Sequence, residues 1–416
     1  MERGDQIVKI EGESAIGIKQ DDVAPKLKGL PGTGVMVHVS RPGWDEPREF
    51  TIVRERIPPE SISHVFMLDD EIGYIEMDKF SRTTVIELER ALKSLENQNM
   101  KKLILDLRRN SGGYLPISVG VADKFLPGGK KIVYTKGRTR DSFKEFYSSD
   151  RDTHKLLPMI IRIGEGSASA SEIVSGALQD WDRAMIIGTT SFGKALVQTP
   201  LRLSDNSRLL LTTARYYTPS GRCIQKNYEG KSREEYYKSA RDKNFNNENA
   251  GIDSLTYKTN SGRIVYGGGG ISPDIVIEYT EPVDTTDLGF ISKLSLSNSP
   301  FDMGFMFADT YVEEHQELKK DVKHFIEHFE INDKILEEYK SFLKENDKEI
   351  DETEFEVHKE AVKFWLKAEF AHQLWGKNEF WQVYISGDEQ LKQAVTYFDD
   401  AEKLLVDNYK EYLVKE

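Results

Sequence analysis

Cysteine is nearly absent from this chain. Its 416 residues contain one, Cys223, which excludes an intramolecular disulfide framework and any metal site built from several thiolates. An excess of positive charge is also missing. Lysine and arginine total 57 against 70 aspartates and glutamates, a net charge of −13, so the basic face of a nucleic-acid binder is not expected. No apolar run approaches the roughly 20 residues that cross a bilayer, and Met1-Glu-Arg-Gly-Asp does not read as a signal peptide. Histidine is sparse. Of eight, only His64 and His154 fall where strands and helices alternate. His64 reads as preceding the first strand there, and His154 sits in a polar stretch. Neither has an evident aspartate at a strand end, so a Ser-His-Asp triad lacks its usual base.

Hydrophobic residues make up 38% of the chain, enough for sizeable cores in two or three domains. Residues 1–57 read as short strands around one helix near 21–29, closed by Pro58-Pro59. From 58 to 282 the pattern is α/β. Strands are expected at 72–77, 103–107, 131–134, 159–163, 184–188 and 208–217, and helices at 83–98, 117–125 and 169–180. Residues 226–262 are polar and read as a surface insertion. After Pro282 the composition turns to Glu, Lys, Asp and aromatics with helical spacing. Residues 283–416 are expected to form a separate all-α module with four amphipathic helices, at 313–329, 333–345, 353–373 and 388–410. Within it, His324-Phe-Ile-Glu-His328 matches the H-x-x-E-H metalloprotease pattern. It has no evident third ligand and reads as a solvated helix face.

The chemistry concentrates in residues 166–198. Gly166-Ser-Ala-Ser-Ala-Ser-Glu-Ile173 places a small-residue serine turn after a buried strand and at the start of a helix. A helix N-terminus carries unpaired N–H groups and partial positive charge. Ser169 is therefore a candidate nucleophile, and the Ala170 N–H a candidate oxyanion donor. The same residues also match a capping box, Ser169-x-x-Glu172, which would make the serine merely structural. Lys194 lies in the glycine-flanked turn after the next strand. Desolvated there, its amine could accept the serine proton; the bland alternative is a surface lysine. Gln198, four residues on, is placed to orient the amine or is an ordinary strand residue. Asp106-Leu-Arg-Arg-Asn-Ser-Gly112-Gly113 ends a buried strand in a turn whose backbone can direct N–H groups into a cleft.

With these motifs together the chain resembles the C-terminal processing, or tail-specific, proteases over roughly residues 4–280. The marks are Leu105-Asp-Leu-Arg-Arg-Asn-Ser-Gly-Gly113, Gly166–Ile173, Gly176-Ala-Leu-Gln-Asp180, Phe192-Gly-Lys-Ala-Leu-Val-Gln198, Tyr216-Tyr-Thr-Pro-Ser-Gly-Arg222 and Gly270-Ile-Ser-Pro-Asp-Ile275. The resemblance implies a crotonase/ClpP-like α/β protease core and a PDZ domain (α+β). It implies Ser169 as nucleophile, Lys194 as general base, Gln198 and Asp180 in support, and oxyanion donors from Gly112, Gly113 and Ala170. It implies no metal or cofactor, polypeptide substrates with unstructured apolar C-termini, and a periplasmic or envelope setting. Residues 4–12 look like the middle of the PDZ domain, so the expectation is an N-terminal truncation or an internal start, with PDZ capture of a C-terminus doubtful. The helical tail goes beyond the family pattern and reads as a substrate platform or an oligomer contact. Two other readings stay open: a non-catalytic binding scaffold on a protease fold, and an esterase or acyl-transfer enzyme with a narrow acyl pocket.

Overall fold

The structure is a computed structural model that describes residues 5–18, 20–41, 44–56, 60–149, 154, 156–228, 230, 232, 234–235, 256–294 and 303–413. Most of the polar insertion lies outside these residues. The chain forms two compact units, residues 1–59 with 297–300, and residues 60–296 with 301–416.

In the first unit, alternation does the folding. Val35, Val37 and Val39 are buried on one side of a strand whose intervening residues are half exposed, the period-2 signature of a sheet with one wet face. The elements are β1 (Gln6–Ile10), β2 (Glu13–Ser14), α1 (Gln20–Leu27), β3 (Gly34–Ser40) and β4 (Arg48–Val53), with an antiparallel sheet ordered β2-β1-β3-β4.

The second unit runs β5 (Ile62–Met67), β6 (Ile72–Met77), α2 (Thr84–Glu96), β7 (Lys102–Asp106), α3 (Leu115–Asp123), β8 (Lys131–Gly137) and β9 (Lys144–Tyr147). It continues with β10 (Met159–Ile163), α4 (Ala170–Asp180), β11 (Met185–Gly188), β12 (Leu196–Arg202), β13 (Arg208–Tyr217), β14 (Thr256–Lys258), β15 (Ile264–Tyr266) and β16 (Ile275–Val276). A six-stranded sheet has the order β16-β11-β10-β7-β6-β5, parallel except where β5 meets β6. A second sheet, antiparallel, is ordered β12-β13-β8-β9.

The near-continuous apolar runs of β7 and β10 follow from cover on both faces of the large sheet. On one face Leu105 and Ile161 join Leu88, Leu92, Val121, Ile173 and Val174 of α2, α3 and α4. On the other, Tyr74, Ile104, Ile160 and Ile187 meet Ile385, Leu391, Ala394, Phe398 and Ala401 from the end of the chain.

Those last residues belong to helices that start after Pro282: α5 (Thr285–Leu294), α6 (Met303–Glu314), α7 (Val322–His328), α8 (Asp333–Glu345), α9 (Glu352–Val357), α10 (Lys359–Leu374), α11 (Lys377–Ser386), α12 (Glu389–Val395) and α13 (Phe398–Leu413). The composition shift marks where these helices begin. It does not mark a gap in the fold, because they share a compact unit with the sheet. The expected span 313–329 is interrupted. Asp321 accepts from the Lys323 and His324 N–H groups and caps α7, so the side chain competes with the helix for its own backbone. The spans 353–373 and 388–410 likewise break, at His358 and at Thr396–Tyr397.

A buried ionic cluster joins the end of the chain to the sheet. Arg162 on β10 donates to Asp106 at 3.0 Å, to Asp388 at 2.6 Å and to Gln390 at 3.0 Å. Arg108 reaches Asp106 at 2.8 Å and Asp388 at 2.9 Å. The Tyr74 hydroxyl adds a bond to Asp106 at 2.8 Å. Two guanidinium groups thus face two carboxylates out of water, the paired and hydrogen-bonded arrangement that buried charges require.

Candidate active site

The alternating serines of residues 167–171 divide their work. Ser167 Oγ donates to the Leu107 carbonyl at 2.7 Å and accepts from the Gly164 N–H at 3.0 Å. Ser171 Oγ donates to the Asn110 carbonyl at 2.7 Å. Both staple the turn to the segment leaving β7. Between them Ser169 has φ 56° and ψ −106°, a left-handed conformation that a non-glycine residue adopts only when its surroundings impose it. Gly166 permits the approach: a Cβ there would lie 2.5 Å from the Arg108 carbonyl oxygen.

The glycine turn packs directly on this serine. A Cβ on Gly112 would stand 2.6 Å from the Ala168 carbonyl oxygen, 2.9 Å from Ser169 Cβ and 3.0 Å from the Ala170 nitrogen. Asn110, fully buried, shapes the turn. Its amide donates to the Met77 carbonyl and its Oδ1 accepts the Gly112 N–H at 2.9 Å. The Gly112 N–H is therefore turned inward. Among the described residues the N–H groups of Gly113 and Ala170 have no protein acceptor.

Lys194 follows Gly193, whose φ is +86°. The lysine turn is tied to the serine turn by the Phe192 N–H on the Ser167 carbonyl at 2.9 Å. A second tie runs through Glu172, a fully buried residue. Its carboxylate accepts from Ser169 N–H at 2.7 Å, Ser191 Oγ at 2.6 Å, Gly193 N–H at 2.6 Å and Lys194 N–H at 2.9 Å. Burial pushes this carboxyl up to about 7, against the pull of the four donors. A third tie is the Tyr216 hydroxyl, 3.0 Å from the Ser169 carbonyl oxygen and 2.8 Å from that of Lys194. The capping-box reading of Ser169 and Glu172 is thus half the story. The Glu172 carboxylate does accept the Ser169 N–H, but it also reaches the lysine turn 22 residues on.

The remaining expected residues lie further off. Lys194 is half-buried and its side chain makes no hydrogen bond to Ser169. Gln198 is exposed on β12, beside a register shift between Val197 and Gln198. The glutamine that reaches the lysine turn is Gln225, which accepts the Ala195 N–H at 2.8 Å. Asp180 closes α4, about 16 Å along the helix from Ser169 at 1.5 Å per residue. It pairs with Arg222 at 2.8 Å and accepts the Ser220 N–H at 2.9 Å.

Both histidines of the α/β region are committed elsewhere. His64 lies within β5 rather than before it, its ring tilted against Trp381 with centroids 4.5 Å apart. Burial, with Lys377 and Arg109 nearby, holds it down to about 4 and hence neutral. His154 bonds Glu96 at 2.7 Å and Glu89 at 3.0 Å. His324 and His328 meet edge to face on α7, and among the described residues no cluster of His, Cys, Asp and Glu could hold a metal.

Glu172, Tyr216, Asn110 and Gln225 are the residues that sequence reasoning passed over. Glu172 was visible as the fourth residue of the capping box, and Tyr216 as part of a quoted motif. Nothing local announces that either reaches both turns.

Residues 71–230 match peptidase family S41, and residues 292–376 match a family of unknown function (DUF8443). The carboxy-terminal-processing protease of Bartonella bacilliformis is 41% identical over 226 residues, 53% of this chain and 51% of that protein. The carboxyl-terminal-processing protease of Synechocystis is 35% identical over 227 residues, 53% of this chain and 52% of that one. The carboxy-terminal processing protease CtpA of Bacillus subtilis is 34% identical over 222 residues, with 53% and 47% covered. The chain thus carries a peptidase S41 domain and spans about half the length of the curated relatives it matches. Among solved structures, the photosystem II D1 C-terminal processing protease aligns over 66% of this chain and 63% of its own at 25% identity, with a TM-score of 0.38.

Proposed function

We propose that this chain, through its peptidase S41 domain, is a serine endopeptidase that cleaves polypeptides near unstructured, apolar C-termini. Ser169 Oγ attacks the scissile carbonyl and Lys194 Nζ takes its proton. The oxyanion is held by the N–H groups of Gly113 and Ala170, and the protonated lysine returns its proton to the leaving amine. Water then hydrolyses the acyl-enzyme. The observation that carries this reading is the joint: Ser169, with φ 56° at the start of α4, has its backbone bound through one buried carboxylate to the backbone of Lys194. A turn held that tightly is built to aim two side chains. Their direct bond forms when substrate closes the site, since catalytic hydrogen bonds are often long in unliganded enzymes.

Gln198 and Asp180 act on this reading through the frame, from β12 and from the far end of α4. The antiparallel sheet and single helix of residues 5–56 support their reading as part of a PDZ domain, and the α/β arrangement around Ser169 supports a crotonase-like core. The reading implies the periplasm or envelope as the place of action.

The test is cleavage of an unstructured protein with an apolar C-terminal tail. Wild type should give product. Ser169→Ala and Lys194→Ala should remain folded by circular dichroism and lose product formation by at least about 10³-fold, as removal of a nucleophile or its base does elsewhere. Normal turnover by folded Lys194→Ala would remove the lysine from the mechanism. No cleavage by wild type would favour the scaffold reading.

A further inference from the structure

A buried tyrosine hydroxyl needs a partner, and one carbonyl would satisfy it. The hydroxyl of Tyr216 instead lies within hydrogen-bond distance of two, 3.0 Å from the oxygen of Ser169 and 2.8 Å from that of Lys194. These are the two residues read above as nucleophile and base. They belong to different elements, 25 positions apart. Tyr216 is 2% exposed and sits near the end of β13, whose backbone continues the contact: the Tyr216 N–H donates to the Ala195 carbonyl at 2.9 Å.

The position of Lys194 explains why such a tie is needed. The β12–β13 ladder begins with Leu196 opposite Arg215. Lys194 lies just outside it, in a turn opened by Gly193 with φ +86°. With no strand partner of its own, the lysine depends on bonds from side chains for its place. Glu172 holds the N–H side of the lysine turn and Tyr216 holds the carbonyl side, while the same two side chains hold the N–H and the carbonyl of Ser169.

Resting on the Ser169–Lys194 reading, we infer that Tyr216 is a positioning residue whose hydroxyl fixes the separation between nucleophile and base. It touches neither substrate nor the reacting atoms. Its effect falls on the chemical step, because proton transfer depends steeply on the distance between Oγ and Nζ, and substrate binding does not.

The experiment compares full-length wild type, Ser169→Ala, Tyr216→Phe and Tyr217→Phe. Phenylalanine keeps the ring and its packing and removes only the hydroxyl. Tyr217, next on the strand, stacks on Tyr134 at 5.0 Å and controls for hydroxyl loss on β13. Two readouts are taken across pH 5–9: cleavage of the unstructured substrate, and the rate of covalent labelling by a fluorophosphonate, which reports serine nucleophilicity without a peptide. Tyr216→Phe should lower kcat and the labelling rate roughly ten- to hundredfold, the cost of a misplacement of about 1 Å. KM should hold, and the rising limb of the pH profile should move. Tyr217→Phe should match wild type.

Wild-type kcat, labelling rate and pH profile in Tyr216→Phe would overturn the inference and leave the peptidase reading standing. So would a lowered melting temperature with unchanged kinetics, which is the mark of packing alone. Wild-type labelling that Ser169→Ala fails to abolish would sink the peptidase reading itself, and this inference with it.

Discussion

Glu172 is the residue on which the most depends. Its carboxylate receives four donors from two turns of the chain, yet burial raises it to about 7. The two consequences have opposite signs. A carboxyl whose folded value lies above its unfolded value favours folding while protonated. That contribution is complete below about pH 4.5 and is lost as pH rises towards 7. The ionised form, however, is the one that accepts all four donors, so activity should climb through the same range as stability falls. Glu172→Gln removes the titration. Thermal melts from pH 4 to 8 should show the wild type losing stability relative to the variant. Activity profiles should show a limb near pH 7 in the wild type alone, on top of a loss of turnover in the variant. Parallel melting curves at every pH would refute this account.

Among elements, the serine turn on the proposed reading separates structure from chemistry within five residues. Ser167 and Ser171 bind carbonyls of the segment leaving β7, so their loss is expected to cost stability before it costs turnover. Ser167→Ala and Ser171→Ala should each destabilise by about 1–3 kcal/mol, the cost of a buried acceptor left without its donor. Denaturant unfolding measures this, and Ser169→Ala should be nearly silent in the same assay. The alternation itself was legible in the sequence, as were the strand before it, the helix after it and the turn carrying Lys194, because each is a local pattern. The division of labour was not, since it depends on which carbonyls lie across the turn. The same limit applies to Glu172 and Tyr216, whose partners are set by the crossing of α4, β12 and β13. The helix break at Asp321 escaped for a different reason: apolar periodicity runs through it, and a cap outweighs it locally.

At the scale of the whole molecule, the buried cluster of Asp106, Arg108, Arg162 and Asp388 makes the last helices part of the sheet. Asp388→Ala would leave two guanidinium groups sharing one carboxylate out of water. A loss of about 3–5 kcal/mol is expected, as when one partner of a buried ion pair is removed, read by chemical denaturation. A loss below about 1 kcal/mol would mean that the cluster tolerates an open seat. Replacing an exposed pair such as Lys392 and Glu389 should cost little by comparison. The cluster also bears on the order in which the molecule comes into being. Arg162 and Asp388 lie 226 positions apart. Ser169 and Lys194 follow Arg162 closely in the sequence, while the Asp388 carboxylate that Arg162 holds comes far later. Until Asp388 has been made, the two guanidinium groups share the single carboxylate of Asp106, and the sheet face that Ile385, Leu391 and Phe398 cover stays bare. A nascent chain of this protein therefore contains both the serine turn and the lysine turn well before the sheet that carries them can close its second face.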